Sequence, residues 1–74
     1  MTFRRKLPPL NALVAFEAAA RHKNYTRAAE ELSVAQPAVT RHIHNLEIWI
    51  GGPVFTRQGN RVALTPRGQE LAEL

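Results

Sequence analysis

Apolar positions along the chain fall into helix-spaced runs, broken after residue 50 by a short stretch with strand character. Asn11 is placed to cap a first helix running to about Arg21, with Ala12, Leu13, Phe16, Ala19 and Ala20 on one face, and Pro8-Pro9 keeps the entry extended. Thr26 caps a second, short helix whose seam is Ala28, Ala29 and Leu32. Ser33, Val34 and Ala35 make the connection, and Gln36-Pro37 opens a third helix, since proline is tolerated in a first turn. At about 100° per residue, Val39, Ile43, Leu46 and Ile50 share a narrow arc, which is the buried stripe. Gly51-Gly52-Pro53 ends that helix. Val54 to Arg57 and Arg61 to Leu64 then flank Gln58-Gly59-Asn60 as a small hairpin. Thr65-Pro66 starts a last helix with Leu71 and Leu74 on one side.

This order of elements predicts a mainly α fold, a winged helix-turn-helix. Residues 1–64 form a three-helix bundle with a short β-hairpin wing, and residues 65–74 begin a linker helix. Two helices joined by so short a turn suit the major groove of duplex DNA. Opposite the buried stripe lie Pro37, Thr40, Arg41 and His44, with Gln36 at the N-terminal tip. Arg41 has the donors for a bidentate pair to guanine and Gln36 the amide for adenine, while the Pro37 ring and the Thr40 methyl suit a thymine methyl. Thr26, Arg27 and His44, with Arg57 and Arg61 of the wing at 54–64, are candidates for the phosphate backbone or the minor groove. Each such residue taken alone is equally a solvated surface side chain. Their concentration at one end of a tight helical pair favours nucleic acid.

Composition sharpens this picture. The chain has 74 residues, a net charge of +4 and no cysteine. That length is one small domain near the limit at which a core suffices, so a dimer or a larger parent would add stability. Residues 1–27 carry Arg4, Arg5, Lys6, Arg21, Lys23 and Arg27 against Glu17, so positive charge is segregated toward one part of the sequence. No helix combines a long apolar face with a Lys/Arg-rich one, so DNA is expected as the anionic partner and a membrane is not. MTFRRK is not followed by an apolar run, and a cytoplasmic location is expected. No catalytic residue, metal ligand or cofactor is expected. His42 and His44 point to different sides of a helix, His22 is remote, and Ser33 has no nucleophile-elbow glycines around it.

The stretches LNALVAFEAAARHKNYTRAAEEL, QPAVTRHIHNLE, GGPVFTR and ALTPRG together resemble the N-terminal DNA-binding domain of a LysR-type transcriptional regulator, from Leu7 to Leu74. PPLNAL and AFEAAARH are similar to the branch that holds the glycine-cleavage activator and the β-lactamase regulator. The resemblance implies a bacterial regulator whose linker helix pairs two subunits over an interrupted inverted repeat. It also implies a homodimer or higher oligomer, with a small-molecule effector bound only by a C-terminal domain outside this chain. It assigns base contacts to Gln36, Pro37, Thr40 and Arg41, and backbone or minor-groove contacts to Thr26, Arg27 and the wing arginines.

The chain departs from that pattern in two places. Ala35 stands where a Ser or Thr cap is usual, a loss of about 1 kcal/mol. Ile48 and Trp49 replace residues usually polar, either packing on the linker helix or wing or forming a docking surface. An end at Leu74 would also remove most of a dimerisation helix. The rival function is therefore a winged-helix module for protein–protein interaction, favoured by Ile48 and Trp49.

Overall fold

Alanine dominates the inner surface of the first two helices, and this sets how the bundle closes. The computed structural model describes residues 10–74, in the order α1 (Leu10–His22), α2 (Tyr25–Leu32), α3 (Gln36–Ile50), β1 (Phe55–Gln58), β2 (Arg61–Leu64) and α4 (Pro66–Ala72). Ala12, Ala15, Ala18 and Ala19 of α1 and Ala28 and Ala29 of α2 are buried, and small side chains at a helix contact let the axes approach closely. Into the remaining space α3 inserts Val39, Ile43 and Leu46, the stripe expected from its periodicity, with Ile50 packed at the margin.

Three expectations for helix ends are corrected. Asn11 does not cap α1, because the helix already includes Leu10. Pro8-Pro9 lies outside the described residues. Thr26 does not cap α2; Asn24 does, its Oδ1 accepting from Arg27 N at 2.9 Å. The reason is tertiary: Lys23 takes a left-handed φ of 55°, and its carbonyl accepts from Val62 N at 3.1 Å, so the chain turns before Asn24 and Tyr25 becomes the first helical residue. The last helix ends at Ala72, so Leu71 packs on the core whereas Leu74 lies past the helix and is exposed.

The turn between α2 and α3 is closed by backbone bonds. Val34 N donates to Ala29 O and Ser33 N to Glu30 O, with Ser33 left-handed at φ 57°, the bond pair of a Schellman stop. Ala35 then precedes α3 with no side-chain cap, as expected from its methyl group.

The end of α3 is tied down from three directions. Gly51, at φ 89°, and Gly52 both donate to Glu47 O. The Glu47 carboxylate accepts from Val54 N at 3.0 Å, and Arg67 of α4 donates to Ile50 O at 3.1 Å. An acidic side chain near a helix C-terminus opposes the helix dipole. Here the Val54 N–H and the Arg67 guanidinium compensate it. Sequence inspection did not single out Glu47 for this role.

The hairpin is antiparallel, pairing Phe55 with Leu64, Thr56 with Ala63, Arg57 with Val62 and Gln58 with Arg61. Gly59-Asn60 makes a two-residue turn in which only Gly59, at φ 64°, has positive φ, as a type II′ turn requires. Phe55 sits against Phe16 at 5.4 Å between ring centroids and against Tyr25 at 5.9 Å, edge to face. Such aromatic pairs contribute roughly 0.5–1.5 kcal/mol beyond burial, and these two weld the wing to α1 and α2.

Thr65 bridges the hairpin and α4. Its hydroxyl donates to Pro53 O at 2.7 Å and accepts from Gly68 N at 3.0 Å. Gly68 is buried, and a Cβ there would lie 2.1 Å from Val54 O, a backbone atom that cannot yield cheaply. Gly68→Ala is therefore expected to destabilise the fold by about 1–3 kcal/mol from overpacking, despite alanine's better helix propensity. Ala35→Ser should act in the opposite direction by about 0.5–1 kcal/mol, by supplying the absent cap. Urea unfolding of the two variants checks both signs, and a raised midpoint for Gly68→Ala would refute the close-approach account.

Candidate nucleic-acid interface

The polar positions of α3 come forward because its apolar stripe is fully committed to the core. Pro37, Arg41 and His44 are exposed and Thr40 is half-buried, on the side away from Val39, Ile43 and Leu46, while half-buried Gln36 sits at the N-terminal tip of the helix. Gln36 is not free-standing. Its Nε2 donates to Asn60 Oδ1 at 3.1 Å, so the N-terminus of α3 touches the tip of the wing.

The wing tip also reaches the start of α2. Asn60 O accepts from Tyr25 N at 2.9 Å, and Asn24 forms an isolated antiparallel bridge with Arg61. Asn24, Thr26, Arg27, Glu30 and Asn60 line one shallow groove. The structure thereby brings Thr26, Arg27, Gln36 and Arg61 into one contiguous patch, although Gln36 and Arg61 are far apart in sequence. Relieved of the capping role, the Thr26 hydroxyl makes no hydrogen bond among the described residues, and Arg27 is exposed.

The two wing arginines part company. Directly paired residues of an antiparallel ladder share a face, and successive residues alternate. Arg57 pairs with buried Val62 and belongs to the inner face with Phe55, whereas Arg61 belongs to the outer face. Accordingly the Arg57 guanidinium lies 4.8 Å from the centroid of the Tyr25 ring and donates through Nε to Gly59 O at 2.7 Å. A cation over an aromatic face is attracted by the ring quadrupole. Arg57 therefore braces the hairpin turn while remaining exposed, and Arg61 is exposed with no hydrogen bond to its guanidinium among the described residues. Burial pushes the Tyr25 phenol up to about 12, Glu47 adding to the effect and Arg57 opposing it.

Not all of the basic charge is available to a ligand. Arg21 bonds both carboxylate oxygens of Glu17, at 2.8 and 2.9 Å, and both of Glu31, at 2.7 and 2.6 Å. His22 Nε2 adds a 2.7 Å contact to Glu31. This cluster clips α1 to α2 and removes Arg21 from the cationic surface. The Arg21 hydrogen bond, then that of His22, holds the Glu31 carboxyl down at about 2, and Arg21 also lowers Glu17.

Ile48 and Trp49 sit beyond this patch on α3 and are 67 % and 41 % exposed. Of the two readings of this pair, packing on α4 or the wing is not met by Ile48, because the α3 stripe turns the core-facing side away from it. Among the described residues no cluster of three or more His, Cys, Asp or Glu side chains could hold a metal ion. No helix among them is long and apolar enough to cross a membrane.

Residues 10–69 match the model of the bacterial regulatory helix-turn-helix proteins of the lysR family. Over 65 residues the chain is 52 % identical to the glycine cleavage system transcriptional activator of Escherichia coli K12, which covers 88 % of the chain and 21 % of that protein. It is equally identical, over 62 residues, to the RuBisCO operon transcriptional regulator of Allochromatium vinosum, covering 84 % of the chain and 20 % of that protein. The chain thus spans about a fifth of the length of these curated relatives. Among solved structures, a LysR-family transcriptional regulator from Eggerthella lenta superposes with a TM-score of 0.79 at 40 % identity, over 88 % of this chain and 93 % of that one. The CbnR DNA-binding domain in complex with DNA gives 0.84 at 32 % identity, over 88 % and 75 % of the two chains.

The carboxylate cluster predicts acid sensitivity. Because the Glu31 pKa is lowered on folding, its contribution is fully present above about pH 4.5 and is lost as pH falls toward about 2. Unfolding midpoints measured across that range should fall for the native chain and fall less for Arg21→Gln. Parallel curves for the two chains would contradict the assignment.

Proposed function

The chain belongs to the lysR family of bacterial regulatory helix-turn-helix proteins, and on that basis we propose that it reads duplex DNA as the sequence-specific binding domain of a transcriptional regulator. The observation that carries this reading is the continuous exposed patch running from Arg41 and His44 through the Gln36–Asn60 contact to Arg61, Thr26 and Arg27. In it α3 enters the major groove. Arg41 pairs with a guanine edge, Gln36 with adenine, and Pro37 and Thr40 contact thymine methyls. Arg61 and Arg27 neutralise phosphates, His44 lies toward the backbone, and the Thr26 hydroxyl accompanies Arg27 at the α2 N-terminus, where backbone N–H groups favour an anion. Arg57 contributes chiefly by bracing the wing that carries Arg61.

The exposed cations suit a polyanion, and the chemistry needs no cofactor and no catalytic group. Residues 1–64 are the DNA-binding unit and α4 begins the linker helix. In the full-length regulator that helix pairs two copies over an interrupted inverted repeat in the cytoplasm, and an effector acts through a separate domain. A protein-interaction module is the alternative, favoured by the exposure of Ile48 and Trp49.

Salt separates these readings, since neutralising several phosphates makes affinity fall steeply with ionic strength, whereas an apolar docking surface responds weakly. Selection from random duplexes should return a defined half-site. Arg41→Ala should relax preference at one base pair, at a cost of roughly 1–3 kcal/mol in discrimination. Arg61→Ala should weaken all duplexes alike and reduce the salt slope by about one. An unchanged selected motif for Arg41→Ala would refute its base-reading role.

A further inference from the structure

The contact between the wing tip and the first residue of α3 does more than join two elements. Gln36 Nε2 donates to Asn60 Oδ1 at 3.1 Å. Asn60 is itself held, because its carbonyl accepts from Tyr25 N at 2.9 Å and its neighbour Arg61 is bridged to Asn24. A flexible glutamine is thus fastened to the side chain of a residue whose backbone is pinned to the start of α2.

A glutamine amide has two N–H donors and one carbonyl acceptor. Asn60 takes one donor. The other N–H and Oε1 remain, which is the pair that adenine N7 and N6 require in the major groove. A free amide can turn over and exchange its donor and acceptor ends. One tethered through Nε2 can do so only by breaking the bond to Asn60 or by turning the Asn60 amide over with it. Its rotamer freedom is also partly lost before DNA arrives, which lowers the ordering cost on binding.

We propose that Asn60 is a positioning residue for base readout, fixing the Gln36 amide so that the wing contributes to sequence preference as well as to backbone affinity. This rests on the major-groove reading of α3 given above. Asn60 touches the base only through Gln36.

The test uses the 74-residue chain and its Asn60→Ala, Asn60→Asp, Gln36→Ala and doubly substituted Gln36→Ala/Asn60→Ala forms. Each is titrated at one salt concentration against the duplex selected by the native chain and against every single-base-pair variant of it. The native chain should discriminate at the base pair lost in Gln36→Ala by about 5- to 150-fold, the range of one bidentate contact. Asn60→Ala should lose most of that preference at that base pair alone, with affinity for unrelated duplex within about twofold of native. The double substitution should do no more there than Gln36→Ala. Asn60→Asp keeps an acceptor for Gln36 Nε2, so it should retain the preference while its added charge weakens every duplex alike.

Preference retained in Asn60→Ala, or lost in Asn60→Asp as in Asn60→Ala, overturns the inference. If Asn60→Ala does not fold, Asn60→Gly, which removes the acceptor equally, takes its place. A native chain that binds no duplex in a salt-dependent manner refutes the DNA reading itself, whereas selective native binding with unchanged preference in Asn60→Ala refutes only the role of Asn60.

Discussion

Two backbone hydrogen bonds, Tyr25 N to Asn60 O at 2.9 Å and Val62 N to Lys23 O at 3.1 Å, stitch the hairpin to the bend between α1 and α2. A two-stranded ribbon alone in water is at best marginally stable. The wing tip therefore takes its position from this bend, which supplies it with a partner edge. Lys23 accepts a left-handed conformation to present its carbonyl, and Asn24 then caps α2 immediately after it. The same few residues fix where α2 starts, where the wing tip lies and which residue Gln36 meets.

The remaining forces act in support of that stitch. Phe55 between Phe16 and Tyr25 presses the hairpin onto the alanine-lined helices, and Arg57 over the Tyr25 ring stiffens the turn from its inner side. At the opposite end, Glu47, Thr65 and Arg67 join α3, the hairpin and α4 through three hydrogen bonds around Gly51-Gly52-Pro53. Electrostatics divides by location. Arg21 is saturated by Glu17 and Glu31 on the α1–α2 side, while Arg27, Arg41 and Arg61 stay exposed around the α3–wing junction. Net charge alone does not convey that separation.

Much of the fold was legible locally. The α3 stripe, the glycine stop and the Thr65 cap follow from period and turn chemistry and appear where those rules put them. The hairpin's first strand is instead shifted by one residue to Phe55–Gln58, because Gln58 pairs with Arg61 across a two-residue turn. The N-cap of α2 is ambiguous in the sequence because Asn24 and Thr26 are both capable caps, and what selects Asn24 is a bond from Val62, remote in sequence. The roles of Glu47 and Asn60 were invisible for the same reason, their partners being supplied by tertiary folding. The division between Arg57 and Arg61 was within reach of the sequence. With strands paired across Gly59-Asn60, Arg57 falls opposite the apolar Val62, and the alternation alone turns it inward. For the candidate interface, residue types and helix face were readable, but the contiguity of Gln36, Asn60 and Arg61 was not.

On the proposed DNA-reading role, one surface, built from the exposed side of α3, the wing tip and the start of α2, carries ligand recognition. Backbone amide shifts of the chain, followed by NMR during titration with a selected duplex, test it most directly. The largest changes are expected at residues 26–27, 36–44 and 59–61, with α1 and the Ile48–Trp49 region little affected. Changes centred on Ile48 and Trp49, with the wing tip unmoved, would contradict it.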